Sequence, residues 1–367
     1  MPEFSELRSC ALSTTWWMAR AVSSLRATVF LIALSSMPAL AQSGASPALR
    51  ELSPALRELY AKARGEGQVV CWASGPAIVD WIGEEFSRRF PGIEVKWSAD
   101  LDTPTKLIAE YRAGRHTVDT FTFSIGGMLP LHERGMFGAV DWAAYGVPAG
   151  DVFLDGRAAA VLNLVNTVMF NTKLVRREQA PKSWEDLLDP KWRGKIGASD
   201  VLLPRALAFL ALSWGEERAA QYARDLRDKA QVLLTRAPTE GLLSSGERPI
   251  IVGEFVSTSD QWQSRGVPVD WVAMNPAGAV QFALAVMDKA PHPNAARLLA
   301  AWLVTDEAKE LRAKLRHHVD VRPTARTPKG REQLGAHQQL VYEDVSTLKR
   351  RVELYNKLAP IVHGTAK

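Results

Sequence analysis

Between residues 67 and 127 the sequence switches repeatedly between short apolar runs and longer amphipathic ones, and that alternation admits very few architectures. Gly67 opens the apolar run 68–72, whose successive hydrophobic residues suit a strand buried on both faces. Ser74, Gly75 and Pro76 lead into a helical pattern that continues to Phe90, where Pro91 and Gly92 stop it. Residues 93–97 form the next expected strand and 101–113 a helix closed by Gly114. Residues 118–123 form a third strand, ending at Ser124, Gly126 and Gly127. This succession predicts an α/β fold, a mainly parallel sheet flanked by helices. Such sheets bind ligands beyond the carboxyl ends of their strands, which makes Trp72, Ser74, Gly75, Thr122 and Ser124 candidate ligand contacts. A helix starting at Pro76 also turns free N–H groups and a positive dipole end toward an anion. Structural alternatives stand beside these roles: Ser74 as a helix cap, Trp72 as a packed aromatic, residues 124–127 as a flexible turn.

The stretch 163–199 reads NLVNTVMFNTKLVRREQAPKSWEDLLDPKWRGKIGAS. Residues 165–170 suit a strand, and Asn171 with Thr172 can cap the next element. Ser183, with Asp186 three residues later, frames a short helix over 184–188 that Asp189 and Pro190 end; Gly194 then precedes a strand at 195–198. Helices are expected over 204–214 and 216–228, and strands over 231–234 and 249–252. The ends of these strands nominate Ser199, Asp200, Arg205, Arg236 and Glu254 as a second set of ligand contacts. Arg205 and Arg236 favour an anion through charge-assisted hydrogen bonds, whereas Asp200 favours a cationic or polyhydroxyl ligand; the alternative for both arginines is a solvated surface role.

NTVMFNTKLV followed by APKSWEDLLDPKWRGKI closely resembles the start of the second lobe in bacterial extracellular solute-binding proteins of ABC transporters, family 1, the group that includes ferric-iron binders. YAKARGEGQVVCWAS (60–74), FSRRFPGIEVKW (86–97), SSGERPIIVGE (244–254) and the segment 275–310 agree in order and spacing, so the resemblance spans roughly residues 60–325. It implies the two-lobed periplasmic binding protein fold of type II. Lobe 1 is then 66–163 plus 271–325 and lobe 2 is 164–270, with residues 269–273 and 278–287 returning to lobe 1. Two crossings between lobes permit hinge closure. A length of 367 residues agrees with two lobes. A helical extension, 42–65, holds the phrase LREL twice, and a polar, partly helical tail, 326–367, has no assigned place.

Residues 18–41 carry Arg20 and Arg26 ahead of an apolar core, then Ala39, Leu40 and Ala41, which is the pattern of a signal peptide cleaved after Ala41. Residues 1–17, with Trp16 and Trp17, fit no part of a leader, so Met18 is the expected start. The apolar core is too short for a permanent anchor, and no Cys follows the cleavage signal for a lipid. The expected location is the periplasm. Of the two cysteines Cys10 lies in the leader, leaving Cys71 alone and no internal disulfide. The formal charge of +5 is interspersed rather than striped, which argues against nucleic acid.

The expected function is therefore the binding component of an ABC importer, a monomer that closes on a small, anionic organic solute and presents it to a membrane permease, with no cofactor and no metal. Ferric iron is the alternative ligand. Iron-binding members supply adjacent tyrosines where Glu254 and Phe255 stand, and no two of the six tyrosines here are adjacent. His317 and His318 are neighbours in sequence, face different ways and read as surface residues. An exported enzyme or a receptor-coupled sensor on the same scaffold is the alternative class. GxSxG, HExxH, GxxxxGK[ST], GxGxxG and CxxC are all missing, and Cys71 reads as a small buried residue rather than a nucleophile. Trp81, Trp184, Trp192, Trp214 and Trp302 read as core side chains.

Overall fold

The computed structural model describes residues 52–318, 334, 339–343 and 345–365. The expected leader, its cleavage point and the start of the helical extension lie outside them. The first helix, α1 (Pro54–Glu66), begins later than residue 47, because Ser53 accepts the Leu56 N–H at 3.3 Å and Pro54 fills the first helical position. Gly67 ends it in the left-handed region, φ +73°, and the chain enters β1 (Gln68–Ala73).

The helix expected over 76–90 is two pieces, α2 (Pro76–Val79) and α3 (Ile82–Arg89). The Trp81 indole turns back to donate to the Ile78 carbonyl at 3.1 Å and packs on Trp302, which accounts for the break. Then come β2 (Glu94–Ala99), α4 (Thr103–Arg112), β3 (Thr120–Ser124) and α5 (Ile125–His132); the turn expected at 124–127 is the start of this helix. β4 (Val152–Phe153) leads to β5 (Ala158–Asn171), a strand of 14 residues, every one buried, that starts seven residues ahead of the expected one.

The second half contains, in order, β6 (Ile196–Ser199), α6 (Leu202–Trp214), α7 (Glu216–Asp228), β7 (Leu233–Thr235), α8 (Glu240–Ser245), β8 (Ile250–Phe255) and α9 (Val256–Ser264). Next are β9 (Val269–Val272), β10 (Ala277–Val286), α10 (Pro293–Leu303) and α11 (Asp306–Arg316). The described part of the tail holds β11 (Leu340–Tyr342) and α12 (Val345–His363).

The strand order β2-β1-β3-β10-β5-β8-β6-β7 contains two half-sheets joined through β5. In the first half β2, β1 and β3 are parallel and β10 runs antiparallel beside β3 and against residues 158–165 of β5. In the second, β8, β6 and β7 are parallel, and β8 pairs with residues 166–170 of β5. β9 does not return to the first half as expected: it pairs with residues 168–171 of β5, and the crossing back is made by the short link to β10.

Local chemistry fixes both halves. Buried Asp119 accepts from the N–H of Val70 (2.7 Å), the N–H of His292 (2.7 Å) and lies 2.8 Å from His292 Nδ1, tying β1 to the approach to α10. In the 163–199 stretch, Ser183 Oγ accepts the Asp186 N–H (3.1 Å) while the Asp186 carboxylate accepts from Lys182 and Ser183, a reciprocal cap on a 3₁₀ turn rather than an α-helix. Trp184 inside that turn is buried and donates to the Pro276 carbonyl at 2.8 Å, which clamps the second crossing. Trp81, Trp192 and Trp302 are buried, as expected, and Trp214 is packed against the second core.

The tail, unplaced from sequence, spans the junction. Leu348 and Val352 near the start of α12 pack with Met128 and Leu131 of α5, whereas Leu354, Leu358 and Val362 enter the second-half core beside Leu207, Ala223 and Leu226. Leu358 is fully buried. Leu358→Ala is expected to lower unfolding stability by roughly 2–5 kcal/mol in urea titrations; an unchanged midpoint would mean the helix is not part of that core.

Candidate functional site

The ends of the parallel strands supply two sets of side chains. In the first half β1 and β3 are neighbours, with Trp72 opposite Phe121 and Ala73 opposite Thr122, so Ser74, Gly75 and Ser124 extend from adjacent strand ends. Trp72 is partly buried and packs against the cluster that holds Phe121 and Phe123. Gly75, not Ser74, holds the cap position of α2, and no side chain bonds there. Thr122 and Ser124 are buried, and Ser124 precedes α5 without capping it.

In the second half Ser199 lies opposite Thr235, and Ala198 opposite Val252, which brings residues 199–200, 235–236 and 253–254 to one edge. Ser199 Oγ accepts from the N–H groups of Val201 and Leu202, both at 3.3 Å, and so starts α6. Gly253 has φ +89°, and a Cβ there would meet the backbone of Leu202 and Leu203 at 3.3 Å; only glycine lets β8 pass so close to α6. Asp200 accepts from Arg236 Nε at 2.9 Å. The Arg236 side chain is 91% exposed, on the rim, so this pair is held weakly.

Beside the first set lies a buried ion pair. Arg351 of α12 and Glu343, just after β11, are 5% and 3% exposed, and Arg351 Nε stands 2.5 Å from Glu343 Oε1. Arg351 and the Gln281 backbone N–H both favour the charged form of this carboxylate. Arg205 of α6, half-buried, is close enough to feel both charges: desolvation and the neighbouring Arg351 bring its guanidinium down to about 10, with Glu343 pulling the other way. Burial pushes the Glu343 carboxyl up, against the pull of Arg351 and Arg205. The cluster touches the first-half site directly, since a Cβ on Gly126 would collide with Arg351 Nη2 and lie 3.3 Å from Glu343 Oε1. The Arg351 guanidinium sits 5.9 Å from the Phe209 ring centre. Thus Arg351 and Glu343 meet the chain at Gly126, with Arg205 within electrostatic reach of them, while Asp200, Arg236 and Glu254 lie at the second-half strand ends.

Sequence reasoning missed Glu343 and Arg351. The available signal was periodicity: Leu348, Arg351, Val352, Tyr355, Leu358 and Val362 share one helical face, and a charge on an apolar stripe marks a buried partner. His318 is also not a surface residue: it is buried, and burial with Arg312, Arg316 and His317 nearby drives its imidazole down to about 3. His317 caps α11 in the left-handed region. Cys71 is 2% exposed, and burial pushes its thiol up to about 12, far from a thiolate nucleophile. Among the described residues no three His, Cys, Asp or Glu side chains cluster as a metal site, and no helix is long and apolar enough to cross a membrane.

Two half-sheets joined by two crossings, each with candidate ligand groups at its strand ends, define a two-lobed binding protein of type II. Residues 130–332, more than half of the chain, match bacterial extracellular solute-binding proteins, and the chain belongs to that family. No curated protein matches it in sequence. A substrate-binding protein of an ABC transporter from Agrobacterium tumefaciens is 19% identical, with TM-score 0.66 over 81% of this chain and 96% of that one. The periplasmic binding protein AfuA from Actinobacillus pleuropneumoniae, solved with fructose-6-phosphate bound, is 19% identical, with TM-score 0.65 over 81% and 99%. Iron-bound HitA from Pseudomonas aeruginosa is 15% identical, with TM-score 0.64 over 79% and 99%. These likenesses show a shared fold.

Glu254 carries a consequence for pH. It is 9% exposed and accepts from Thr239 Oγ1 at 2.6 Å; burial nonetheless pushes its carboxyl above the ordinary range, the hydroxyl pulling it back only in part. A proton held more tightly in the folded chain lends stability in acid and is a loss as pH rises past the ordinary carboxylate value. Glu254→Gln keeps an acceptor for Thr239. It is therefore expected to match the wild type at about pH 4 and to exceed its stability at about pH 8 in urea denaturation. A gap that does not widen between those values would show that burial leaves this carboxyl unshifted.

Proposed function

We propose that the chain is the solute-binding component of an ABC importer. It is exported by a leader cleaved after Ala41 and acts as a monomer in the periplasm, closing its two lobes over a small organic anion. It performs no chemistry; contacts from both lobes exist together only when closed, so a ligand shifts the population toward closure and toward the form a permease receives. One observation carries the choice of an anion: the Arg351 guanidinium reaches the Gly126 start of α5, with Arg205 of the second half within electrostatic reach of it, so positive charge gathers beside a strand end where an open sheet binds ligands. A relative of the same fold was solved with a sugar phosphate. Iron is the weaker reading, because a ferric ion wants hard anionic oxygens and two arginines repel it.

The test is a thermal-shift screen of the purified protein against inorganic phosphate, hexose phosphates, citrate, polyamines, neutral sugars and ferric salts. An anionic class is expected to raise the midpoint by about 3 °C or more at saturation. Arg205→Ala is expected to weaken that ligand roughly tenfold or more. A shift with ferric salts alone would overturn the choice of an anion.

A further inference from the structure

The helices that begin at the two candidate ligand edges are joined through the end of a third. In the first half Ser74 and Gly75 lead from β1 into α2, and Asp80 follows its last residue. In the second half β8 runs directly into α9, with Phe255 at the cap position and Asp260 and Gln261 midway along the helix. Between them comes α11. It belongs to the first half, since Ala308 is buried in the core shared with α10 and β1, and Glu307 lies 3.4 Å from Arg89 of α3. At its end Arg316 Nε donates to Asp80 Oδ1 at 2.7 Å, and these two side chains are 28% and 30% exposed. The Arg316 carbonyl, one of the last four that an α-helix leaves without an intrahelical donor, accepts from Gln261 Nε2 at 3.1 Å in a part-buried setting. α9 is rooted in the second half, where Trp262 packs with Met169, Ile251 and Val269. This bond therefore ties the halves at a point that lies on neither β5 nor the link from β9 to β10. One residue earlier on α9, half-buried Asp260 is within electrostatic reach of His317, which closes α11 in the left-handed region. Burial pushes its carboxyl up, His317 and the Trp271 side chain draw it down, and Asp270 adds to the upward push.

We propose that Gln261 and Asp260 of α9, set against the Arg316 carbonyl and His317 at the end of α11, form a latch that holds the two halves together before any solute arrives. Asp80 positions the latch by fixing the end of α11 to the helix that follows β1. This rests on the reading that the chain closes over a solute, and it adds that residues outside the candidate ligand contacts supply part of the drive to close. A contact that exists only when the halves are drawn together favours the closed population whatever lies between them. Apparent affinity scales with the fraction of protein in the competent form, so the latch acts on the strength of binding rather than on the choice of solute.

The test is the distance between nitroxide labels at Ala109→Cys on α4 and Glu217→Cys on α7, both exposed positions, measured by double electron-electron resonance on the full chain without solute. Cys10→Ser removes a second labelling site, and Cys71 is too buried to react. Gln261→Leu keeps the volume and removes the donor; Asp260→Asn keeps the shape and removes the charge. Their double variant, checked for folding by circular dichroism, is expected to raise the ratio of long to short distances roughly fivefold or more over the wild type. Should it not fold, Gln261→Leu alone is expected to shift the ratio in the same direction. The same distance distribution in the wild type and the folded variant overturns the latch. Because the measurement uses no solute, the two readings separate. A shifted ratio in a protein that no anion, sugar, polyamine or ferric salt stabilises keeps the latch and removes the solute reading. An unshifted ratio in a protein that an anion does stabilise removes the latch and keeps the solute reading.

Discussion

Every other part of this molecule is placed by β5. Its 14 buried residues serve both half-sheets, pairing with β10 over the first part and with β8 and β9 over the second. A strand that is buried throughout cannot alternate polar and apolar residues, and this one reads AAAVLNLVNTVMFN, with polar side chains confined to asparagine and threonine. Asn166 donates to the Gly253 carbonyl, Thr167 to that of Val272, and Asn171 to that of Leu243, so each of these polar residues fastens a different second-half element. The ladder to β8 is irregular between Asn166 and Val168, where the strand passes from one half to the other.

That shared strand sets where function can reside. Each half-sheet has parallel strands, and an open sheet presents its ligand groups beyond their carboxyl ends. Polar side chains that capped nothing, such as Ser74 and Ser124, are left at this edge, whereas Ser199 is consumed in starting α6. Into the same junction the tail brings two ionisable groups, which makes the charge balance between the halves a property of residues more than a hundred positions away in sequence.

The sequence made the architecture legible because its information is local: apolar runs, capping residues and Pro–Gly stops mark strands and helices wherever tertiary contacts do not override them. Element ends moved by a few residues, and larger departures have physical causes. The break at Asp80 and Trp81 comes from an indole that packs on a helix more than two hundred residues away, and the assignment of β9 depends on a pairing choice that periodicity does not encode. The candidate site was half legible. Strand ends pointed to Ser124 and Arg205, but Glu343 and Arg351 sit in a tail whose charge reads as solvation until its apolar face is known to bridge two cores. His318 misled for the same reason.

Cys71 lies in the middle of β1, hydrogen-bonded into the ladder between β2 and β3 and closed off from solvent. A thiol so placed and so reluctant to ionise is chemically silent for as long as the first half-sheet is intact. Alkylating reagents then act as a clock on that sheet: labelling proceeds only as fast as β1 separates from its neighbours. A ligand that draws the halves together slows it without touching the sulfur, so solute occupancy can be read from the chemistry of a residue that takes no part in binding.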